Sequence, residues 1–246
     1  MKKVFSVLFS LLLFHCVSAQ KLFEVKGGKY DIFNLIDKDE KSDSINIESF
    51  EISNEVAVGQ YLGYLKATKS DFSNKKFPYA LVLDLKEYSL IPGVSWKEAM
   101  DFCKWLTLQN QSKDSMNFIY RLPTLSEWLT AYSQKKSMNG LLGFDDKRLS
   151  EWTLNSKDEA HYLPTYKWED YINISREKDP SVLKRKIVIG NSYLISLTSL
   201  HNYVTYDFYE DQSYSHIGFR VVKVYLNPND ELFSPNNQAL KAWGLN

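Results

Sequence analysis

Apolar positions recur at helical spacing in three stretches of the chain. Val58, Tyr61, Leu62 and Leu65 stand at i, i+3, i+4 and i+7, which predicts a helix with one buried stripe. Ser95 followed by Glu98 has the capping-box spacing, and Ala99, Phe102, Cys103 and Leu106 then trace the buried face of a second helix. Thr124 and Glu127 repeat the box, Pro123 blocks extension backwards, and Leu125, Trp128, Leu129 and Tyr132 are predicted to face inward. Strand patterns are shorter: 80–85, 186–189 and the β-branched run 217–226. Between 154 and 186 no period holds, and the stretch reads as a long irregular segment carrying Tyr162, Tyr166, Trp168 and Tyr171.

The N-terminus has a different pattern. Lys2 and Lys3 precede an apolar run over 4–17, and Val17-Ser18-Ala19 leads to Gln20, which predicts a cleavable secretory signal over 1–19. Bulky Phe14 and His15 before Cys16 speak against a lipoprotein, so the mature chain is expected in the periplasm or outside the cell, with no membrane-spanning segment after cleavage. The expected organisation is a lead-in over 20–47, one domain over 48–226 and a tail over 227–246 containing Pro228 and Pro235.

Composition narrows the choices. With 246 residues, 44% hydrophobic and 24% charged, the chain can bury one sizeable core, which excludes disordered, collagen-like and coiled-coil readings. Lys+Arg and Asp+Glu both number 30, and loss of Lys2 and Lys3 leaves 28 basic against 30 acidic residues, a net of −2. No basic cluster suits nucleic acid. The acidic loop 37–43 has Lys41 at a ligand position and lacks the turn glycine of a calcium loop, so it reads as solvated. Cysteines number two, Cys16 and Cys103, so the processed chain has no internal disulfide. Aromatic residues reach 15%, which calls for surfaces or a core that use them.

Seven motifs occur in order: Glu55-Val56-Ala57-Val58-Gly59-Gln60-Tyr61, Val94-Ser95-Trp96-Lys97-Glu98-Ala99, Phe102-Cys103-Lys104-Trp105-Leu106, Arg121-Leu122-Pro123-Thr124 with Glu127-Trp128, Glu151-Trp152-Thr153, Gly190-Asn191-Ser192-Tyr193 and Gly218-Phe219-Arg220. Over about 48–223 the set resembles the sulfatase-modifying-factor family, the domain of formylglycine-generating enzymes. The resemblance implies an α+β, loop-rich single domain related to C-type lectins. Arg121 and Arg220 are obligate cations suited to forked hydrogen bonds, and Glu127 and Glu151 are expected partners, acting either to lock loops together or to serve a site. With Trp128 and Trp152 they make up the expected framework.

The same resemblance implies an oxidase that converts a substrate cysteine with oxygen, on copper held by two cysteines. At the corresponding positions this chain has Ile195 and Leu200, neither of which can bind Cu(I). Cys103 lies on a buried helix stripe, and Val221 stands where some relatives carry a cysteine to pair with it. Lys147 and Arg148 replace the Gly-Asn of the family's calcium site, and His161, His201 and His216 show no metal spacing. No cofactor is therefore expected: copper lacks its thiolates and calcium meets two cations. No nucleophile elbow, phosphate loop or dinucleotide fingerprint is present. Ala57 replaces the threonine that usually caps the first helix.

These readings converge on a non-catalytic binding or scaffold component of a bacterial envelope, of the kind the resemblance associates with gliding motility and type IX secretion in Bacteroidetes. An enzyme using other chemistry and a lectin-like glycan- or peptide-binding module remain alternatives. The expected partner is an envelope protein, peptide or glycan, met by Tyr162, Tyr166, Trp168 and Tyr171.

Overall fold

A computed structural model of the chain describes residues 20–30, 44–70, 90–111, 117–134, 149–156, 185–190, 192 and 205–226. Those residues form ten strands and three helices. They are β1 (Leu22–Val25), β2 (Gly28–Tyr30), β3 (Ile45–Ile47), β4 (Phe50–Glu55), α1 (Val58–Ala67), α2 (Trp96–Asn110), β5 (Phe118–Arg121), α3 (Leu125–Ser133), β6 (Ser150–Ser156), β7 (Arg185–Ile189), β8 (Thr205–Tyr209), β9 (Ile217–Gly218) and β10 (Arg220–Tyr225). Among the described residues, no helix is long and apolar enough to cross a membrane.

The strands divide into a sheet ordered β1-β4-β10-β5, a two-stranded pair β2-β3, and a sheet ordered β8-β7-β6-β9. The first sheet is antiparallel throughout, with Leu22 opposite Ser53 and Tyr225 opposite Phe118. Residues 20–47, read as a lead-in, thus supply β1 to this sheet, and Val25 is fully buried within the core. In the second sheet β9 joins β6 in parallel, and β10 follows it directly into the first sheet, so one short run stitches the two sheets together. This is an α+β, loop-rich domain.

Two of the helices start as their caps dictate. Glu98 N donates to Ser95 Oγ at 3.3 Å and Ser95 N to Glu98 Oε2 at 2.9 Å. Glu127 N donates to Thr124 Oγ1 at 3.1 Å and Thr124 N to Glu127 Oε2 at 2.7 Å. Helix α1 has only half a box, because Ala57 carries no acceptor: its backbone N donates to Gln60 Oε1 at 2.9 Å. Ala57→Ser is expected to stabilise the domain by about 0.5–1 kcal/mol, read as a higher urea midpoint at unchanged slope.

The apolar stripe of α1 differs from the sequence expectation at one position. Val58, Tyr61, Tyr64 and Leu65 are buried, while Leu62 is 40% exposed. At about 100° per residue the buried arc runs from Tyr64 through Tyr61 and Leu65 to Val58, and Leu62 falls just beyond its edge. The rings of Tyr61 and Tyr64 turn that arc toward α2, where they meet Phe102 at 5.9 and 5.5 Å between centroids. Ala99, Phe102, Cys103 and Leu106 are all buried as expected, as are Leu125, Trp128 and Leu129, with Tyr132 packed at the margin.

The segment read as irregular is bounded by order on both sides, since β6 extends to Ser156 and β7 begins at Arg185. The period fails in β6 because all seven of its residues, Ser-Glu-Trp-Thr-Leu-Asn-Ser, are buried, so no polar face alternates with an apolar one. The run 217–226 divides at Phe219 into β9 and β10. The expected strand at 80–85, the loop 37–43 and the tail 227–246 lie outside the described residues.

Candidate functional site

Two buried arginine–carboxylate forks hold the region to which the sequence motifs point. Arg121, at the end of β5, donates through Nη1 and Nη2 to Glu127 Oε2 and Oε1 at 2.7 and 2.8 Å. The same Glu127 carboxylate caps α3 through Thr124 N, so one side chain starts the helix and ties it to the sheet. Arg121 Nη1 also donates to the Leu122 carbonyl at 3.0 Å, across the turn that brings Pro123 to the helix.

Arg220, at the start of β10, donates through Nε and Nη2 to Glu151 in β6, the Nη2–Oε1 contact being 2.6 Å, and through Nη1 to the Ser53 carbonyl at 3.2 Å. The guanidinium is completely buried. Burial works against its charge, but the Glu151 charge and hydrogen bond, helped by Glu55, hold its pKa above the ordinary arginine value. Glu151 Oε2 also accepts Trp128 Nε1 at 2.9 Å. Trp152, next in β6, donates its Nε1 to the Val94 carbonyl at 2.8 Å and is fully buried. Successive residues of β6 therefore reach to opposite sides, Glu151 to α3 and β10 and Trp152 to the approach to α2.

At the end of β7 this cluster meets the Gly190-Asn191-Ser192-Tyr193 motif. Gly190 has φ +91°, which a side chain rarely adopts, and a Cβ there would lie 3.5 Å from Trp128 Cζ2. Ser150 Oγ donates to the Gly190 carbonyl at 2.9 Å, and Ser192 is buried. Trp128 is itself braced by Tyr132, stacked at 5.3 Å and 12°.

Both forks are enclosed, and their contacts with Thr124 N, the Leu122 carbonyl and the Ser53 carbonyl fix backbone. Soft thiolates are the ligands that select Cu(I). Among the described residues the cysteine is Cys103, fully buried in α2, with its thiol pushed well up by burial, so these residues do not fit that ion. Among the described residues no group of three or more His, Cys, Asp and Glu is placed to hold a metal ion. His216 is half-buried beside Phe208 at 5.6 Å and Tyr214 at 6.1 Å, and burial holds its pKa below the ordinary value. Tyr162, Tyr166, Trp168 and Tyr171 lie outside the described residues, as do Lys147, Arg148, His161, Ile195, Leu200 and His201.

Several polar residues that sequence reasoning missed complete the cluster. Asn155 Oδ1 accepts Leu125 N at 2.8 Å at the start of α3, and Ser53 Oγ accepts Val221 N at 3.0 Å. Their partners lie far away in sequence, so no local spacing signals them.

The sulfatase-modifying factor enzyme 1-like domain model matches residues 14–148. That match ends before β6, so the last three motifs lie beyond it. Among solved structures, the chain is similar to CarF with 17% identity and a TM-score of 0.54, over 82% of this chain and 97% of that one. It is similar to Treponema denticola variable protein 1 with 12% identity and a TM-score of 0.50, over 82% and 94% of the two chains. At these identities the likeness shows a shared fold. No curated protein matches the chain.

Proposed function

The chain belongs to the sulfatase-modifying factor enzyme 1-like family, and on that premise we propose that it is a non-catalytic binding or scaffold component of a bacterial cell envelope. The observation that carries this reading is the contrast between framework and chemistry. Arg121–Glu127, Arg220–Glu151 and Trp128 form a closed, buried lattice. The positions at which the family's oxidase needs thiolates hold Ile195 and Leu200. A fold maintained without its metal ligands serves by its surface. A cleavable signal over 1–19 would deliver it to the periplasm or beyond.

The surface proposed for contact is the aromatic stretch Tyr162, Tyr166, Trp168 and Tyr171, because large amphipathic rings supply contact area at low entropic cost. The partner class is an envelope protein, and the wider setting of gliding motility or type IX secretion is part of the proposal. Cross-linking in the native envelope tests it. The wild-type chain should capture a defined protein set, and Tyr166→Ala/Trp168→Ala should lose it while keeping the wild-type melting temperature. An unchanged set of captured proteins would overturn the contact surface.

A further inference from the structure

Lys186 stands second in β7 and is completely buried, a place where an ammonium is costly to keep without dedicated contacts. Two of its contacts are unusual for a strand residue. Its Nζ lies 4.2 Å from the centroid of the buried Trp96 ring and donates to Ser156 Oγ at 2.8 Å. Trp96 is the first residue of α2, and its Nε1 donates to the Thr153 carbonyl of β6 at 2.8 Å.

The position of these contacts gives them a purpose. Ser156 is the last residue of β6 and pairs in register with Lys186, so the chain 157–184 leaves and re-enters the sheet across that pair. The β6–β7 register is irregular between Trp152 and Ser156. There the backbone ladder is interrupted, and side chains make the connection: Thr153 Oγ1 donates to the Ile187 carbonyl at 2.9 Å, and Lys186 Nζ bonds Ser156. A regular hairpin stem would need neither.

We propose that Lys186 is a positioning residue, clamping the two ends of 157–184 to each other and to the start of α2. The importance of the clamp for binding rests on the contact surface proposed above, since Tyr162–Tyr171 lie within the clamped segment. The ammonium suits this role better than an apolar side chain, because it satisfies a hydroxyl and an aromatic face at once and so defines both a direction and a depth.

Native-state proteolysis of the full processed chain, using chymotrypsin and locating the cuts by mass spectrometry, tests the clamp without any partner. Lys186→Met should be cut about tenfold faster within 157–184, with cleavage elsewhere unchanged. Lys186→Arg keeps the charge and can still reach Ser156, but it brings a larger planar group into a fully buried site, so its rate should fall between those of the wild type and Lys186→Met. Ser156→Ala, which removes the hydroxyl that accepts from Lys186 Nζ, should move the same way by a smaller factor and keeps the test open if Lys186→Met is not recovered folded. Unchanged cleavage within 157–184 in both variants, or a uniform rise along the chain, would overturn the clamp. If local cleavage rises while envelope cross-linking persists, the clamp stands and the contact surface falls.

Discussion

Arg220→Ala is expected to destabilise the domain by about 3–5 kcal/mol, the scale for removing one partner of a buried ion pair. The loss is large because of what remains. Glu151 would keep its carboxylate in a buried site with Trp128 Nε1 as a remaining donor, Glu55 would lose its nearby cation, and the Ser53 carbonyl would lose its Nη1 donor. At roughly 2–4 °C per kcal/mol for a chain of this size, the melting temperature should fall by about 6–20 °C. Arg220→Lys keeps the charge but loses the fork, and should land between the two. Replacing both partners, as Arg220→Met with Glu151→Leu, should recover much of the loss, since no buried charge is then stranded. Calorimetry of the four proteins checks the order. Equal losses for the single and double replacements would show that packing volume, and not the ion pair, sets the stability.

Phe102→Ala should cost about 3–5 kcal/mol by a different route, the emptying of a packed aromatic site. The ring of Phe102 lies 5.9 Å from Tyr61, 5.5 Å from Tyr64, 5.7 Å from Trp105 and 5.5 Å from Phe219, and it is 1% exposed. It therefore joins α1, α2 and the β9–β10 junction, and four large rings cannot all relax into the space it leaves. Burial has also driven the Tyr61 phenol well above its ordinary pKa and that of Tyr64 up to about 12, so the hydroxyls offer no ionic rescue. Denaturant unfolding should show the fall in midpoint. Phe102→Leu should lose about half as much or less, because most of the volume stays.

These two predictions show where the sequence was informative. The starts of helices α2 and α3 were legible to the residue because their boxes are local: Ser95 with Glu98 and Thr124 with Glu127 stand three apart and meet as that spacing requires. The glutamate partners of the arginines could be named because Glu127 and Glu151 each stand directly before a tryptophan. Their pairing, however, spans from 6 to 69 residues, and only the fold decides which carboxylate meets which guanidinium. Strands β1, β5 and β8 were missed because none has an aliphatic run like the Ile187-Val188-Ile189 that marks β7, which is no longer than β8. Strand β6 was missed because a strand buried on both faces, rich in hydroxyls and with one carboxylate, has no alternation to read. Leu62 was misplaced because Tyr61 and Tyr64, not the aliphatic positions, set the buried direction of α1. Lys186 looked like an ordinary start to a strand, and its burial under Trp96 is a tertiary fact.

A non-catalytic role follows from the loss of the oxidase's thiolates from a framework that is otherwise kept. Competition for Cu(I) against a chromophoric chelator, followed by incubation of the copper-treated chain with a cysteine-containing peptide in oxygen, tests it most directly. The predicted result is that the chelator keeps its copper and that the peptide cysteine shows no catalysed conversion to an aldehyde. Stoichiometric uptake of Cu(I), with repeated turnover of the peptide, would contradict the account.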